Sequence, residues 1–320
     1  MRCSSMYFLG IDTSCYTTSA ALLDCEGNVV REDRRLLRVP RGKRGLAQSE
    51  MVYQHTRHLP SILDDVIGSD GTQIAAVGVS GMPRRREDSY MPAFLVGAGY
   101  AQALSRVLQC SCCLFSHQEN HVMAALRTVP EYWGKNGYML HLSGGTTDWL
   151  CLQWESGRLA VEEVAGSEDI SAGQLIDRIG VLLGMPFPCG PALEKLAASA
   201  EEAPYTLQLP RNPNIISFAG AETELRRRYA QGLLSPAQTA AAVFDYIRRS
   251  LRRTLLRRRW DRGTFLIAVG GVMANSYLRT HLAEDAARIG LIPIFAPPEY
   301  SADNATGNAY GALRYYDETR

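Results

Sequence analysis

Between two apolar segments the chain reads Leu142-Ser143-Gly144-Gly145-Thr146-Thr147-Asp148, and this run decides the fold. Adjacent glycines let backbone N–H groups converge on an anion, and the flanking hydroxyls can donate to phosphate oxygens. Taken alone, the run is equally typical of a tight hairpin, because glycine-rich turns are common in hairpins. On this segment alone, a phosphate-binding turn and a plain hairpin both stay open.

Two further turns of the same composition follow apolar segments, at Gly10–Ser14 and Gly270–Asn275. All three turns come directly after segments that the hydrophobic pattern predicts to be buried strands. Three Gly/Ser/Thr turns in this order resemble those of actin-like ATPases, in which two turns hold phosphates and the third approaches the adenosine. The sequence therefore predicts an α/β protein with the two-lobed actin-like ATPase (ASKHA) fold and a central cleft that takes an adenine nucleotide.

The two halves of the chain start alike. Apolar strands are predicted at Tyr7–Ile11 and Ala20–Leu23 in the first half, and at Tyr138–Leu142 and Thr147–Gln153 in the second. No low-complexity linker separates the halves, so we expect two lobes packed around the cleft. We place the first lobe at residues 1–115, joined by a C-terminal helix at 305–320, and the second lobe at residues 116–304.

Composition sets the class of protein. The chain has 320 residues, of which 46% are hydrophobic and 21% charged, as in globular proteins large enough for two domains. No apolar stretch reaches the roughly 18 residues of a membrane helix, and residues 1–11 are too short for a signal peptide. We therefore expect no membrane association and a cytoplasmic location. Eight cysteines are too sparse for a disulfide scaffold.

Charge is distributed unevenly along the chain. The net charge is +1, yet the segment Arg226–Arg262 holds eleven arginines against Asp245 and Asp261, a local charge of +9. Such asymmetry is a hint of a polyanionic partner. Most of these arginines lie on a predicted helix that starts at Ser235-Pro236, and a solvated basic face is the simpler interpretation for one charged helix.

A second motif with chemical potential is Ser116–His121. Ser116 and Glu119 form a capping box, which starts a helix at His117. His117 and His121 are then one turn apart on one face, a spacing at which two imidazoles can share a metal, although an isolated pair is more often structural. Glu119 is rotated away from both histidines, so the arrangement is not that of a zinc protease, which needs H-E-x-x-H.

Several motifs resemble, in order, those of the tRNA threonylcarbamoyladenosine transferases (TsaD in bacteria, formerly called glycoproteases). Ser116–His121 resembles the H-x-E-x-H metal motif of that family, and Ser143–Thr147 resembles its S-G-G-H-T. The other matching segments are Ile11–Cys15 (family I-E-T-S-C), Asp169–Arg178 (D-D-A-x-G-E-A-F-D-K), Leu183–Pro191 (L-G-L-x-Y-P-G-G-P), Ser217–Thr223 (S-F-S-G-L-K-T), Gly270–Asn275 (G-G-V-x-A-N) and Ala302–Asn304 (T-D-N). The resemblance covers nearly the whole chain.

This resemblance implies a metal-dependent acyl transfer. In the family, threonylcarbamoyl-adenylate gives its threonylcarbamoyl group to the exocyclic amine of an adenosine beside a tRNA anticodon, and protein partners form a threonylcarbamoylation complex. One divalent metal, iron or zinc, is implied at His117, His121 and Asp303. Two turn residues, Asp12 and Thr146, are among the expected contacts to an adenine nucleotide or acyl-adenylate. The other expected contacts are Ser143, Gly144, Gly145, Asp177, Gly190 and Asn275. Asp177 would bind ribose hydroxyls and Asn275 would lie beside the adenylate.

The sequence also departs from the family pattern. The acidic pair that follows I-E-T-S-C is replaced by Tyr16 and Thr17, so a carboxylate near the reacting groups is missing and no catalytic residue is assigned. A glycine-rich P-G-L-x-x-A-L loop is replaced by the charged Met82–Met91, in which we expect Arg84–Asp88 to lie at the cleft mouth and select the acceptor. We interpret the chain as a divergent paralogue that keeps a metal and a nucleotide.

Two other functions stay open. Loss of the acidic pair favours a non-catalytic nucleotide-binding scaffold of the same family. The run at 143–148 also resembles the G-G-G-T-x-D phosphate turn of chaperones and sugar kinases, which favours an ATP-dependent phosphotransferase that uses Asp12 and Asp148. In that case Asp148 would hold a magnesium-bound water, although a turn aspartate that caps backbone N–H groups is at least as typical.

Overall fold

The structure is a computed structural model, and it describes residues 6–14, 16–39, 46–68, 73–86, 89–297, 300 and 303–318. The chain divides into two compact units. Unit 1 comprises residues 1–133 and 299–320, and unit 2 comprises residues 134–298. Each unit is built on one five-stranded sheet with its own hydrophobic core. Within the described ranges, no helix is both long and apolar enough to cross a bilayer.

The sheet of unit 1 has the order β3-β2-β1-β4-β5. Its strands are β1 (Tyr7–Asp12), β2 (Thr17–Asp24), β3 (Val29–Leu36), β4 (Ile74–Met82) and β5 (Ser111–Ser116). The first three form an antiparallel meander, whereas β4 and β5 run parallel to β1. Because parallel strands end at the same edge of a sheet, Asp12, Met82 and Ser116 lie along one edge.

The described parts of unit 1 also contain four helices of eight or more residues. They are α1 (Gln48–Ile67), α2 (Pro92–Leu108), α3 (His117–Leu126) and α9 (Thr306–Glu318), with a short 3-10 turn at Pro130–Tyr132. Helix α9 packs backbone against backbone, since a Cβ on Gly10 would lie 2.1 Å from the carbonyl oxygen of Ala305, and one on Gly307 would lie 1.9 Å from that of Asn120. Glycine at these two positions lets α9 approach both β1 and α3.

Unit 2 repeats the plan of unit 1. Its strands are β6 (Gly137–Leu142), β7 (Thr147–Glu155), β8 (Arg158–Gly166), β9 (Phe265–Val269) and β10 (Ile292–Phe295). The order is β10-β9-β6-β7-β8, again an antiparallel meander with two further strands parallel to the first. The first strand of each unit therefore lies at the centre of its sheet, in line with the similar starts of the two halves.

Five helices cover the sheet of unit 2. They are α4 (Ala172–Leu182), α5 (Gly190–Ala197), α6 (Ala219–Ala230), α7 (Pro236–Arg257) and α8 (Ser276–Arg288), with a 3-10 turn at Gly271–Ala274. Helix α7 starts as predicted, because Ser235 caps it in a capping box with Gln238 and Pro236 occupies the first turn. Its buried side includes Val243, Ile247 and Leu251.

The unit boundary differs from the predicted one. The prediction divides the chain after residue 115, whereas the structure keeps residues 116–133 in unit 1. The physical reason is continuity, because Ser116 both ends β5 and caps α3. Asn120 of α3 also hydrogen-bonds to the backbone of Asn304 and Asn308, which belong to unit 1.

Candidate functional site

Three side chains with metal-ligand chemistry converge in unit 1. His117 Nε2 lies 3.1 Å from His121 Nε2, and Asp303 Oδ1 lies 3.5 Å from the first nitrogen and 3.4 Å from the second. The His121 side chain is 1% exposed and that of Asp303 is 29% exposed. The three residues predicted from the sequence as ligands are therefore brought together, with one ligand atom of each within 4.8 Å of the others.

The capping box orients the two histidines. The Glu119 N–H donates to Ser116 Oγ at 3.2 Å, and the Ser116 N–H donates to Glu119 Oε2 at 2.6 Å, as the sequence predicts. His117 is thus the first residue of α3 and His121 lies one turn further along the same face. The Glu119 carboxylate bonds to Ser116 and Arg85, so the structure shows the capping role and no protease-like arrangement.

Three buried asparagines hold the two ligand-bearing segments together. Asn120 Nδ2 donates to the Asn304 carbonyl at 2.6 Å, and the Asn308 N–H donates to Asn120 Oδ1 at 2.8 Å. Since Asn120 precedes His121 and Asn304 follows Asp303, these bonds set the distance between α3 and the Asp303 segment. The sequence analysis missed this network, although asparagine next to two of the three predicted ligands was a signal for it.

Asp12 lies beside this cluster. Its carboxylate is fully buried at the end of β1, accepts a hydrogen bond from Ser14 Oγ and comes within 3.7 Å of His117 Nδ1. The sequence analysis assigned Asp12 to nucleotide or substrate binding, and the structure brings it to the histidine cluster of unit 1. A carboxylate behind an imidazole is a common means of fixing the ring and its tautomer at metal sites.

The charges of the cluster are strongly coupled. Burial lowers the pKa of His117, but the carboxylates of Asp12 and Asp303 outweigh it and hold that pKa well above its usual value. Burial and the neighbouring His117 lower the pKa of His121. Burial raises the pKa of Asp303, yet hydrogen bonds from both imidazoles bring it far below its usual range. The carboxylates therefore favour the protonated form of His117, whereas His121 favours its neutral form.

The ligand atoms of the three side chains fit a divalent cation, because one atom from each of His117, His121 and Asp303 lies within 4.8 Å of the others. The other ring nitrogen of His117, Nδ1, and Oδ1 of Asp12 are buried and have no hydrogen-bond partner among the residues that the structure describes. Two imidazoles and one carboxylate are the protein ligands of many catalytic zinc and non-haem iron sites, which keep further positions open. The residues present therefore suit a divalent metal of this class.

The 143–148 run forms a compact turn in unit 2. The Ser143 N–H donates to the Thr146 carbonyl at 2.9 Å, and Ser143 Oγ accepts the N–H groups of Gly145 at 3.2 Å and Thr146 at 3.0 Å. Gly144 and Gly145 are exposed, and a Cβ on either would meet nothing within 4 Å. The outer side of the turn is therefore open to a ligand, while Ser143 organises its inner side.

Helix α4 begins directly against this turn. Ser171, its capping residue, donates through Oγ to the Gly144 carbonyl at 2.9 Å, and a Cβ on Gly173 would lie 2.3 Å from the Ser143 carbonyl oxygen. The positive end of a helix favours an anion at such a turn. The turn and the start of α4 are therefore in direct contact.

The remaining predicted nucleotide contacts also lie in unit 2. Asp177 on α4 accepts the Cys189 N–H at 2.8 Å, and burial raises the pKa of its carboxyl. Gly190 begins α5 and faces open space. Asn275 caps α8 by accepting the Leu278 N–H at 2.9 Å, and its buried Nδ2 has no hydrogen-bond partner within the described ranges.

The turn that begins at Gly270 lies against the turn Ser143–Thr146. Gly270 has φ 96°, and a Cβ there would lie 2.0 Å from the Leu142 carbonyl oxygen. Strands β6 and β9 are parallel neighbours, so the turns that follow them leave the sheet at the same edge. The structure thus places Ser143–Thr146 and the Gly270 turn side by side.

Comparison with known proteins decides the family. Residues 50–310 match the family model of the tRNA N6-adenosine threonylcarbamoyltransferases (TsaD). The chain belongs to this family. The tRNA N6-adenosine threonylcarbamoyltransferase of Thermosipho melanesiensis is 26% identical over 324 residues, covering 98% of this chain and 96% of its own. The resemblance inferred from the ordered motifs is confirmed.

Solved structures confirm the predicted actin-like α/β fold. The activator of 2-hydroxyisocaproyl-CoA dehydratase from Clostridium difficile with bound ADPNP has a TM-score of 0.57 at 14% identity, covering 98% of this chain and 97% of its own. A ROK family glucokinase from Streptomyces griseus, in complex with glucose and AMPPNP, has a TM-score of 0.53 at 12% identity and covers 96% of this chain and 99% of its own. At these identities the likeness shows the fold alone.

Against the threonylcarbamoyltransferase pattern, the departures have definite positions. Tyr16 is 39% exposed, and Thr17, at the start of β2, is 5% exposed. Neither side chain carries a carboxylate. Asp148 is buried on β7 opposite His141. In the charged segment Met82–Met91, Arg85 donates hydrogen bonds to Glu119 of α3, and Glu87 and Asp88 lie outside the described residues.

Proposed function

We propose that this protein is a metal-dependent transferase that moves a threonylcarbamoyl or carbamoyl group from an adenylate donor to an acceptor, with tRNA adenosine as the first candidate. The observation that carries the proposal is the convergence of His117, His121 and Asp303 in a chain of the threonylcarbamoyltransferase family. Its relative in Thermosipho melanesiensis is named for transfer to tRNA adenosine. We also propose a cytoplasmic location, protein partners of a threonylcarbamoylation complex and no membrane association.

His117, His121 and Asp303 would hold one divalent ion, iron or zinc. Nitrogen donors with one carboxylate suit these metals better than calcium, which prefers oxygen ligands throughout. The bound metal would supply Lewis-acid polarisation of a donor carbonyl. Asp12 would keep the ring proton of His117 at Nδ1, 3.7 Å away, and so leave Nε2 available as the ligand atom.

The residues of unit 2 would bind the adenylate. Ser143, Gly144, Gly145 and Thr146 would surround phosphate oxygens at the start of α4. Asp177 would accept hydrogen bonds from ribose hydroxyls, while Gly190 and the unpartnered amide of Asn275 would lie at the nucleoside. If the chain is instead an ATP-dependent phosphotransferase, Asp148 would hold a magnesium-bound water beside the phosphates.

The proposed transfer is balanced without a further reactant. The acceptor amine attacks the carbamoyl carbon, a C–N bond forms and the C–O bond to the adenylate phosphate breaks. AMP leaves with the electron pair, and the amine loses one proton. Preorganised positive charge near the carbonyl lowers the barrier to such a step.

A non-catalytic nucleotide-binding scaffold is the second candidate. Its support is that Tyr16 and Thr17 offer no carboxylate where the family has an acidic pair. Incubating the purified protein with threonylcarbamoyl-adenylate and tRNA, then analysing nucleosides by mass spectrometry, separates the two. Formation of modified adenosine supports the transferase. If the protein retains the nucleotide but forms no product, even after the partner proteins of related transferases are added, the scaffold is supported.

Metal analysis tests the site directly. We expect about one iron or zinc per chain in the wild-type protein and loss of most of it in His121→Ala and in Asp303→Ala, because a two-ligand remnant binds weakly. His281→Ala is the matched control, since His281 lies on α8 and bonds to the Tyr277 carbonyl. Full occupancy in both ligand variants would refute the site.

A further inference from the structure

The charged segment after β4 contacts the helix that carries the two histidines. The Nε and Nη2 atoms of Arg85 lie 3.1 to 3.3 Å from both carboxylate oxygens of Glu119, a two-pronged ion pair. Arg85 Nη2 also donates to the Leu114 carbonyl at 3.0 Å. The guanidinium of Arg85 thus hydrogen-bonds both to the end of β5 and to the first turn of α3.

Backbone contacts run alongside this ion pair. Met82 pairs with Ser116 in the sheet, and the Gln118 N–H donates to the Pro83 carbonyl at 3.4 Å. Arg84 is held within its own turn, because its N–H donates to Ser89 Oγ at 2.9 Å. Segment 82–86 therefore lies alongside residues 114–119, and Arg85 forms an ion pair with Glu119 across this contact.

Glu119 needs this partner. Its side chain is only 4% exposed, whereas that of Arg85 is 53% exposed. Apart from Arg85, the hydrogen bond described for its carboxylate comes from the Ser116 N–H. A buried carboxylate that loses its countercharge turns towards water, and this movement would disturb the capping box.

We infer that Arg85 is a positioning residue for the histidine pair, acting through Glu119. Glu119 lies two residues from His117 and two from His121, so a fixed Glu119 carboxylate sets the rotation of the first turn and the direction of both imidazoles. The inference rests on the proposed function for its consequence, metal binding. The contact itself is independent of any metal, and it connects the charged segment after β4 to the candidate metal site.

The test compares four proteins: wild type, Arg85→Met, Arg85→Met combined with Glu119→Gln, and Arg106→Met. Methionine keeps the length of the side chain and removes its charge. Glutamine at 119 keeps an acceptor for the Ser116 N–H and removes the buried charge. Arg106 is an exposed arginine in the last turn of α2 and is the control for charge loss alone.

Two readouts decide the outcome. Cobalt(II), added alone, reports affinity and ligand field by visible absorption, and hydrogen exchange reports opening of the α3 amides. We expect Arg85→Met to bind cobalt about 10- to 100-fold more weakly, with shifted bands and faster exchange at residues 118–122. The double variant should recover most of the affinity and protection, and Arg106→Met should match wild type.

Contrary results are equally definite. Unchanged affinity, spectrum and exchange in Arg85→Met would overturn the inference, and failure of Glu119→Gln to restore either readout would show that Arg85 does not act through that carboxylate. If wild type takes up no cobalt, the proposed metal falls, but the exchange comparison still decides whether Arg85 holds the first turn.

Discussion

At the scale of single residues, a substitution at Gly144 tests ligand binding without disturbing the fold. A Cβ there would meet no protein atom within 4 Å apart from its chain neighbours, so we expect a substitution to leave packing intact while it fills the outer side of the proposed phosphate turn. We expect Gly144→Val to weaken ADP or ATP binding at least tenfold by calorimetry, with an unchanged thermal midpoint. Gly220→Val, at another open glycine on α6, is the control. Wild-type nucleotide affinity in Gly144→Val would remove the phosphate-turn assignment.

Residue-level chemistry was largely accessible from the sequence where the signal was local. The Ser116 to Glu119 capping box and the start of α7 at Ser235-Pro236 depend on residues three apart or less. Contacts over long sequence separation were not accessible. Asn120 meets Asn304 across 184 positions, and Arg85 meets Glu119 across 34 positions. Nothing in a local pattern specifies such partners.

At the scale of elements, two arginines of helix α7 donate hydrogen bonds to backbone carbonyls. Arg249 Nη2 donates to the Leu207 carbonyl at 2.6 Å, and Arg253 donates to the carbonyls of Pro210 and Ile215, both at 2.8 Å. These arginines therefore tie the long segment between α5 and α6 to α7. Neither of the sequence-based interpretations, a solvated face or a nucleic-acid surface, foresaw this role, because carbonyl acceptors leave no trace in the charge pattern.

Helix α7 accordingly offers a stability prediction. Arg253→Ala removes two charge-assisted hydrogen bonds and leaves two carbonyls without them, so we expect the free energy of unfolding to fall by about 2 kcal/mol. Arg259→Ala is the matched control, because Arg259 is exposed and makes no hydrogen bond or ion pair with the residues that the structure describes. Its effect should stay within about 0.5 kcal/mol in urea denaturation. Equal midpoints for the two variants would contradict the structural role of Arg253.

At the scale of the whole molecule, the eleven arginines of residues 226–262 fall into two groups. In the first group, six pair with carboxylates and the seventh, Arg253, donates to backbone carbonyls without such a pair among the described residues. The seven are Arg226, Arg227, Arg228, Arg248, Arg249, Arg252 and Arg253. The others, Arg257, Arg258, Arg259 and Arg262, are exposed at the end of α7 and the start of the connection to β9. Any polyanion attracted by the local charge would meet this second group.

Salt dependence of tRNA binding tests that expectation. Replacing Arg258 and Arg259 by glutamate should weaken tRNA binding several-fold at low salt and reduce the slope of log affinity against log salt by about 2. Arg226→Glu, at an arginine already paired with Glu222, should change the slope less. An unchanged slope in the double variant would leave the end of α7 as a solvated basic surface.

Helix α9 joins the first strand of unit 1 although almost 300 residues separate them, since Asn308 Nδ2 donates to the Ile11 carbonyl at 2.8 Å. During synthesis on the ribosome, the contiguous unit 2 can therefore fold as soon as it has emerged, whereas β1 must wait for α9. Until then its glycine-lined surface at Gly10 is uncovered, and the pair His117 and His121 lacks Asp303. The three proposed metal ligands are accordingly brought together only late in synthesis, so a chain that ends before Asp303 would lack one of them.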